Sequence, residues 1–117
     1  MVQLSIIIPA HNEEKRIKET LLEYTNFFNS LLKDDYELIV IPNNCSDNTT
    51  NLVLEFSKNN KPLVIKELVP GGKGNALIEG FKIAKGETIG FVDADNSTTP
   101  KEFLKLIENI QDYDVAI

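Results

Sequence analysis

Hydrophobic and polar positions along the chain switch repeatedly between a strand rhythm and a helix rhythm. Leu4–Pro9 reads LSIIIP, a strand-length run with β-branched residues on both parities, which predicts a strand buried on both faces. Asn12, followed by Glu13 and Glu14, predicts a capped helix start, and Ile17, Leu21, Tyr24, Phe28 and Leu31 then recur at helical spacing through about Leu32. Tyr36–Ile41, YELIVI, reads as a second strand closed by Pro42 and the turn-forming cluster Asn43-Asn44-Cys45-Ser46. Asp47 is placed to cap a helix carrying Leu52, Val53 and Phe56, and Pro62 opens a third strand from Leu63 towards Leu68. Pro70-Gly71-Gly72-Lys73-Gly74 feeds a helix with Ala76, Leu77, Gly80, Phe81 and Ala84, which Gly86 is expected to end as a left-handed C′ residue. Thr88–Asp93 is a fourth strand. Thr99-Pro100 starts a helix carrying Phe103, Leu104, Leu106, Ile107 and Ile110, and Asp114–Ile117 begins a fifth strand.

This βαβαβαβαβ order predicts an α/β domain built on an open, mostly parallel sheet, a single domain over residues 1–117. In such sheets ligands bind beyond the carboxyl ends of the strands. The loops to search are therefore Pro9–Glu14, Pro42–Asp47, Pro70–Asn75 and Asp93–Thr99.

Charge narrows the ligand. The chain has 117 residues, with 12 Lys and Arg against 18 Asp and Glu, a formal charge of −6. Such a balance lacks the positive field that binds nucleic acid backbones, so nucleic acid is not an expected partner. No apolar run approaches the ~20 residues of a membrane helix, and the N-terminus does not look like a signal peptide. Cys45, the single cysteine, has no disulfide partner within the chain. These features lead us to expect a cytoplasmic protein.

Three groups of residues could carry chemistry. Asp93-Ala94-Asp95 leaves a buried strand as two carboxylates at i and i+2, able to converge on a hard divalent cation such as Mg²⁺ or Mn²⁺, or simply to cap the turn and the next helix. In an acidic chain, a diphosphate beside these carboxylates requires a cation that inverts the local field. Lys73, between Gly72 and Gly74 at a helix N-terminus, suits a phosphate cradle, with a solvated turn lysine as the plain alternative. Neither a Walker A loop nor a Rossmann fingerprint is present. Asn12, Glu13, Asn43 and Asn44 stand where acids and amides can hydrogen-bond a ribose or a base edge, although capping accounts for Asn12, Glu14 and Asp47. A lone loop histidine, His11, and a lone thiol, Cys45, are expected to be neither ligands nor catalysts.

Taken together, four strings resemble the family 2 glycosyltransferases, whose nucleotide-sugar domain is the Rossmann-like GT-A fold. They are Ile6-Ile7-Ile8-Pro9-Ala10-His11-Asn12-Glu13-Glu14, Asn43–Thr49, Gly72-Lys73-Gly74-Asn75-Ala76-Leu77, and Ala84-Lys85-Gly86-Glu87 followed by Phe91-Val92-Asp93-Ala94-Asp95. The run Asp93–Phe103 is most similar to the branch that makes dolichyl- or polyprenyl-phosphate sugars. The resemblance implies metal-dependent, inverting transfer of a sugar from a GDP- or UDP-linked donor, with a lipid phosphate at the cytoplasmic face of a membrane as the favoured acceptor. It implies that Pro9, Ala10 and Glu13 line the nucleoside pocket, to which the reading of the loops adds Asn12 and Asn43, and that Lys73, with Gly74 beside it, approaches the nucleotide. Asp93 and Asp95 would hold Mg²⁺ or Mn²⁺, joined by Ser97, with Asp95 as the catalytic member of the pair.

Two departures follow. Relatives commonly carry an acid pair after the second strand, and here Pro42 replaces the first acid. Against the family, the chain reads as a donor-binding half that stops as the fifth strand begins, without a general base. A non-catalytic nucleotide-sugar-binding or interaction module is the alternative expectation, a nucleotidyltransferase a weaker one. An uncovered fifth strand would also predict a homodimer.

Overall fold

The computed structural model describes residues 2–67, 72–109 and 115–116. The expected positions Leu68, Pro70, Gly71, Ile110, Asp114 and Ile117 lie outside the described residues. The elements alternate as predicted: β1 (Leu4–Ala10), α1 (Ile17–Leu32), β2 (Tyr36–Pro42), α2 (Thr49–Ser57), β3 (Leu63–Ile65), α3 (Lys73–Ile83), β4 (Thr88–Phe91), α4 (Pro100–Glu108) and β5 (Val115–Ala116). All neighbouring strands pair in parallel, in the order β3-β2-β1-β4-β5. Ile7 sits between Ile39 of β2 and Phe91 of β4, so β1 is central.

Strand parity divides the core into two layers. Ile6, Ile8, Leu38 and Val40 face α1, α2 and α4, where Ile17, Leu21, Tyr24, Phe28, Val53 and Phe103 are buried. Leu31, expected on the same helical stripe, is left half exposed near the end of α1. Ile7, Ile39 and Ile41 face α3 on the other side, against Ala76. A Cβ on Gly80 of α3 would stand 2.7 Å from Ile7 Cγ2. Glycine therefore sets how closely this helix approaches the sheet.

The polar Ser5 inside β1 has a purpose at the opposite end of the strands from the ligand loops. Its hydroxyl donates to buried Glu37 Oε2 at 2.6 Å and accepts the Gly86 N–H at 2.8 Å, while Lys85 N–H donates to the same Glu37 oxygen at 2.7 Å. The α3–β4 connection is thus fastened to the sheet by a satisfied buried network.

Four expected boundaries are corrected. Helix α1 begins at Ile17, and Asn12 does not cap it: Asn12 adopts a left-handed φ of 50° and bonds the next loop instead. Asn48, not Asp47, is the N-cap position of α2, yet Asp47 Oδ1 accepts the Thr49 N–H at 3.0 Å. Gly86 is not a left-handed helix terminator, since no glycine among the described residues has positive φ and α3 ends at Ala84 in extended geometry. Glycine is needed there because a Cβ would meet the Ser5 backbone nitrogen at 2.5 Å. Strand β4 ends at Phe91, two residues before Asp93. By contrast, Thr99 and Glu102 form the reciprocal capping box predicted for α4, with Pro100 in the first turn.

Candidate functional site

Strand order reverses direction on either side of β1, so the connections after β1 and β4 diverge and leave a crevice at the carboxyl ends of the strands. A cleft of about 490 Å³ lies there, lined by Pro9, His11 and Glu13 after β1, Asn43 and Asn44 after β2, Gly72 and Lys73 at the start of α3, and Asp93, Ala94 and Asp95 after β4.

The first wall is two loops tied together. Asn43 N–H donates to Ala10 O at 2.8 Å, and His11 Nδ1 donates to Asn43 O at 3.0 Å. Asn12 Oδ1 accepts the Ser46 and Asp47 amides at 2.8 and 3.3 Å. Glu13 N–H donates to Thr49 Oγ1 at 2.8 Å, and its carboxylate pairs with the Arg16 guanidinium. Asn43 itself is 4% exposed, a buried amide at the cleft floor where the family resemblance leads one to expect an acid.

The second wall is the acidic turn after β4, and α1 holds it in place. Val92 N–H continues the β4 ladder by donating to Ile7 O at 3.0 Å. Beyond it, Thr20 Oγ1 donates to Ala94 O at 2.7 Å, Asn96 Nδ2 donates to Glu23 Oε2 at 2.6 Å, and Tyr24 Oη donates to Thr98 O at 2.5 Å. Thr20, Glu23 and Tyr24 share one face of α1 through their three- and four-residue spacing. Burial pushes the Tyr24 phenol well above its ordinary range, so it remains a donor. Ala94 is drawn inward to 2% exposure, and the carboxylates on either side of it border the cleft. Asn96 completes the turn in the left-handed region, at φ 61°.

Thr20→Val is therefore expected to leave the Ala94 carbonyl buried without its donor, costing about 1–3 kcal/mol, while Thr20→Ser keeps the bond. Urea denaturation of the pair of variants checks this. Equal losses for Val and Ser would contradict the hydrogen-bond account.

The two acids are held differently. Asp95 Oδ1 accepts the Ser97 N–H at 3.0 Å, and the Ser97 hydroxyl and amide together keep the Asp95 carboxyl below the usual carboxylate range. Asp93 Oδ1 is bonded to Lys73 Nζ at 2.6 Å across the cleft. Lys73 is the first residue of α3, so its charge adds to amides at the helix N-terminus. Among the described residues, a Cβ on Gly72 or Gly74 would meet nothing within 4 Å, so packing against them does not demand glycine there and leaves the backbone open to a ligand.

Of the expected site residues, Pro9, Glu13, Asn43, Lys73, Asp93 and Asp95 come together around one cleft. Ala10 has its side chain in the core, Asn12 turns to the neighbouring loop, Gly74 lies within α3, and Ser97 reaches the cleft only through Asp95. His11, set aside in the sequence because it has no ligand partner, lines the cleft. Its position one residue after β1, at the height of the other loops, was the signal available.

The donor set fits a hard divalent cation. Glu13, Asp93 and Asp95 line the cleft with Lys73, and the Arg16 guanidinium pairs with Glu13 beside it, so the cleft has no surplus of positive charge to welcome a diphosphate unless more is added. Among the described residues no cluster of three His, Cys, Asp or Glu forms a complete metal site. Two carboxylates suit a cation that completes its shell with phosphate oxygens and water, as Mg²⁺ and Mn²⁺ do. Also among the described residues, no helix is long and apolar enough to cross a membrane.

The chain as a whole is similar to known proteins in sequence and in fold. The chain is 32% identical over 117 residues to a dolichol-phosphate mannosyltransferase of Pyrococcus furiosus, covering 99% of this chain and 32% of that protein. Among solved structures it is similar to S. aureus TarS 1-349 in complex with UDP-GlcNAc, with a TM-score of 0.71, 27% identity and coverage of 92% of this chain and 30% of that one. It is likewise similar to the mannosyltransferase PcManGT from Pyrobaculum calidifontis in complex with GDP-Man and Mn²⁺, with a TM-score of 0.71, 26% identity and coverage of 80% and 27%. The chain thus spans about a third of the length of these proteins. The parallel sheet with alternating helices is the α/β architecture of these GT-A neighbours. Residues 5–117 match the model described as Glycosyl transferase family 2, and the chain belongs to that family.

Proposed function

We propose that this chain forms the donor-binding part of a glycosyltransferase that takes a nucleoside-diphosphate sugar together with Mg²⁺ or Mn²⁺. The observation that carries the reading is the placement of Asp93 and Asp95 opposite Lys73 and the start of α3 in one cleft at the β1/β4 crevice. Solved neighbours hold UDP-GlcNAc in one case and GDP-Man with Mn²⁺ in the other, which supports both the ligand class and the cation.

In this reading Pro9, His11, Glu13 and Asn43 contact the nucleoside, with Ala10 and Asn12 fixing the loops from behind. Lys73 and the amides around Gly74 receive the diphosphate. Asp93 and Asp95 would hold the cation, and Ser97, by its hydrogen bond, orients Asp95 and favours its ionised form. The cation, when bound, supplies Lewis-acid neutralisation of the charge that develops on the departing diphosphate. An acceptor oxygen attacks the anomeric carbon from the face opposite the diphosphate; the carbon–oxygen bond to the diphosphate breaks, and its electron pair leaves with the phosphate. The configuration is thereby inverted.

The acceptor we favour is a dolichyl or polyprenyl phosphate. The Pyrococcus furiosus relative, named for dolichol phosphate and aligned along nearly the whole chain, supports it. A phosphate acceptor is already an anion, so no side chain has to remove a proton from it.

Amide NMR of the protein with Mg²⁺ and UDP or GDP tests the site. Shifts are expected at His11, Glu13, Asn43, Lys73, Asp93 and Asp95. Shifts confined to residues at the opposite end of the strands, around Ser5 and Gly86, would contradict it.

A further inference from the structure

We propose that Lys73 is an exchangeable occupant of the acid pair: it neutralises Asp93 in the ligand-free protein and transfers to the donor's diphosphate on binding, releasing Asp93 to the cation. The inference rests on the donor-binding reading and adds an order of events to it.

The two carboxylates of the turn are unequal. Asp95 is satisfied by Ser97, whereas Asp93 has an ammonium directly on Oδ1 at 2.6 Å. That ammonium comes from the far side of the crevice, 20 residues earlier in the chain. Lys73 therefore occupies one of the two oxygens through which Asp93 could ligate a bound cation, and puts a positive charge beside the other. The bridge is exposed at both ends, with 56% of the Lys73 side chain and 51% of the Asp93 side chain accessible. Water competes for both groups, so the pair is weak and readily exchanged, unlike a buried pair whose rupture leaves a stranded charge.

The alternative partner is close at hand. Lys73 opens α3, where the free amides of the first turn and the open space at Gly72 and Gly74 suit an anion. A flexible four-carbon stem lets the ammonium turn from Asp93 to a phosphate there while its Cα stays fixed. Asp93 then has Oδ1 as well as Oδ2 available, without a neighbouring ammonium. A divalent cation arriving alone must displace the ammonium and endure its repulsion, whereas one arriving with the diphosphate does not. Diphosphate and cation accordingly strengthen one another's binding, and by linkage the enhancement is the same in both directions.

The test is the affinity of the protein for Mn²⁺, read from the EPR signal of free Mn²⁺, with and without saturating GDP or UDP, for the parent, Lys73→Met and Lys73→Arg. Lys73→Met is expected to bind Mn²⁺ alone about two- to fivefold tighter than the parent, the range spanned by exposed ion pairs. Its enhancement of Mn²⁺ binding by nucleotide should fall by a similar factor, and Lys73→Arg should retain most of the enhancement. Unchanged affinity for Mn²⁺ alone in Lys73→Met would show that Lys73 does not occupy the acid pair and would overturn the proposal. Equal tightening with and without nucleotide would show that Lys73 never leaves Asp93, and would overturn it too. A parent protein that binds neither GDP nor UDP in Mn²⁺ is a different failure: it removes the donor reading itself, and this inference with it.

Discussion

Asp95→Ala is expected to abolish the dependence of nucleotide binding on Mn²⁺, with the affinity for GDP or UDP in Mn²⁺ falling at least about tenfold. Changes to groups that merely orient metal ligands already cost 10–100-fold in metal affinity, and loss of a ligating carboxylate should cost no less. The fold should not be the reason. Asp95 is partly exposed and, among the described residues, its side chain is hydrogen-bonded within its own turn, through Ser97, so thermal stability should move by no more than about 0.5 kcal/mol. Calorimetric titration of parent and variant, paired with a melting curve, checks both halves. If Asp95→Ala bound nucleotide as tightly as the parent in Mn²⁺, Asp95 would not be a cation ligand.

The largest effect on stability should come from Phe28→Ala. Phe28 is fully buried on α1 and is the hub of an aromatic cluster, with ring centroids 5.0 Å from Phe27, 5.7 Å from Tyr36, 6.2 Å from Tyr24 and 6.3 Å from Phe103. Removing such a ring costs about 3–5 kcal/mol through lost burial and the cavity left behind. Against a typical total of about 5–15 kcal/mol, that is a large share of what keeps the domain folded. The midpoint of thermal unfolding should fall by more than about 10 °C. Leu106→Ala, at a position 43% exposed on α4, is the control and should change little. Because Tyr24 stacks on Phe28 and bonds Thr98, the acidic turn should loosen before the sheet does. A cost below about 1 kcal/mol for Phe28→Ala would mean that this cluster does not organise the core.

Much of the fold was legible because both strand faces and helix stripes have periods that a chain can display locally. Ile6, Ile7 and Ile8 announce a strand covered on two sides, and Thr99-Pro100 followed by Glu102 announces a helix start. What was misread depended on contacts distant in sequence. Asn12 carries the residue type of a cap, but its side chain serves amides 34 and 35 positions away. Gly86 follows a helix as a terminating glycine would, yet its role is set by the backbone of Ser5 on another strand. The same holds in the site. Asp93, Asp95 and Lys73 were visible because charges and glycines after strands are rare enough to be noticed, whereas His11 has no local pattern to mark it. Nor could Thr20 or Tyr24 be seen to hold the acidic turn, 74 residues away. Replacement of an acid by Pro42 was visible, but not that the neighbouring Asn43 would be buried at the cleft floor with its backbone joined to Ala10 and His11.

A cation at Asp93 and Asp95 is expected to join the protein to a nucleoside diphosphate. Isothermal titration of the parent protein with GDP and with UDP, each in Mn²⁺ and again in excess EDTA, tests it most directly. A stoichiometric complex is expected with one or both nucleotides in Mn²⁺, weakened at least about tenfold when the metal is removed. No binding to either nucleotide, or binding of equal strength in EDTA, would contradict it.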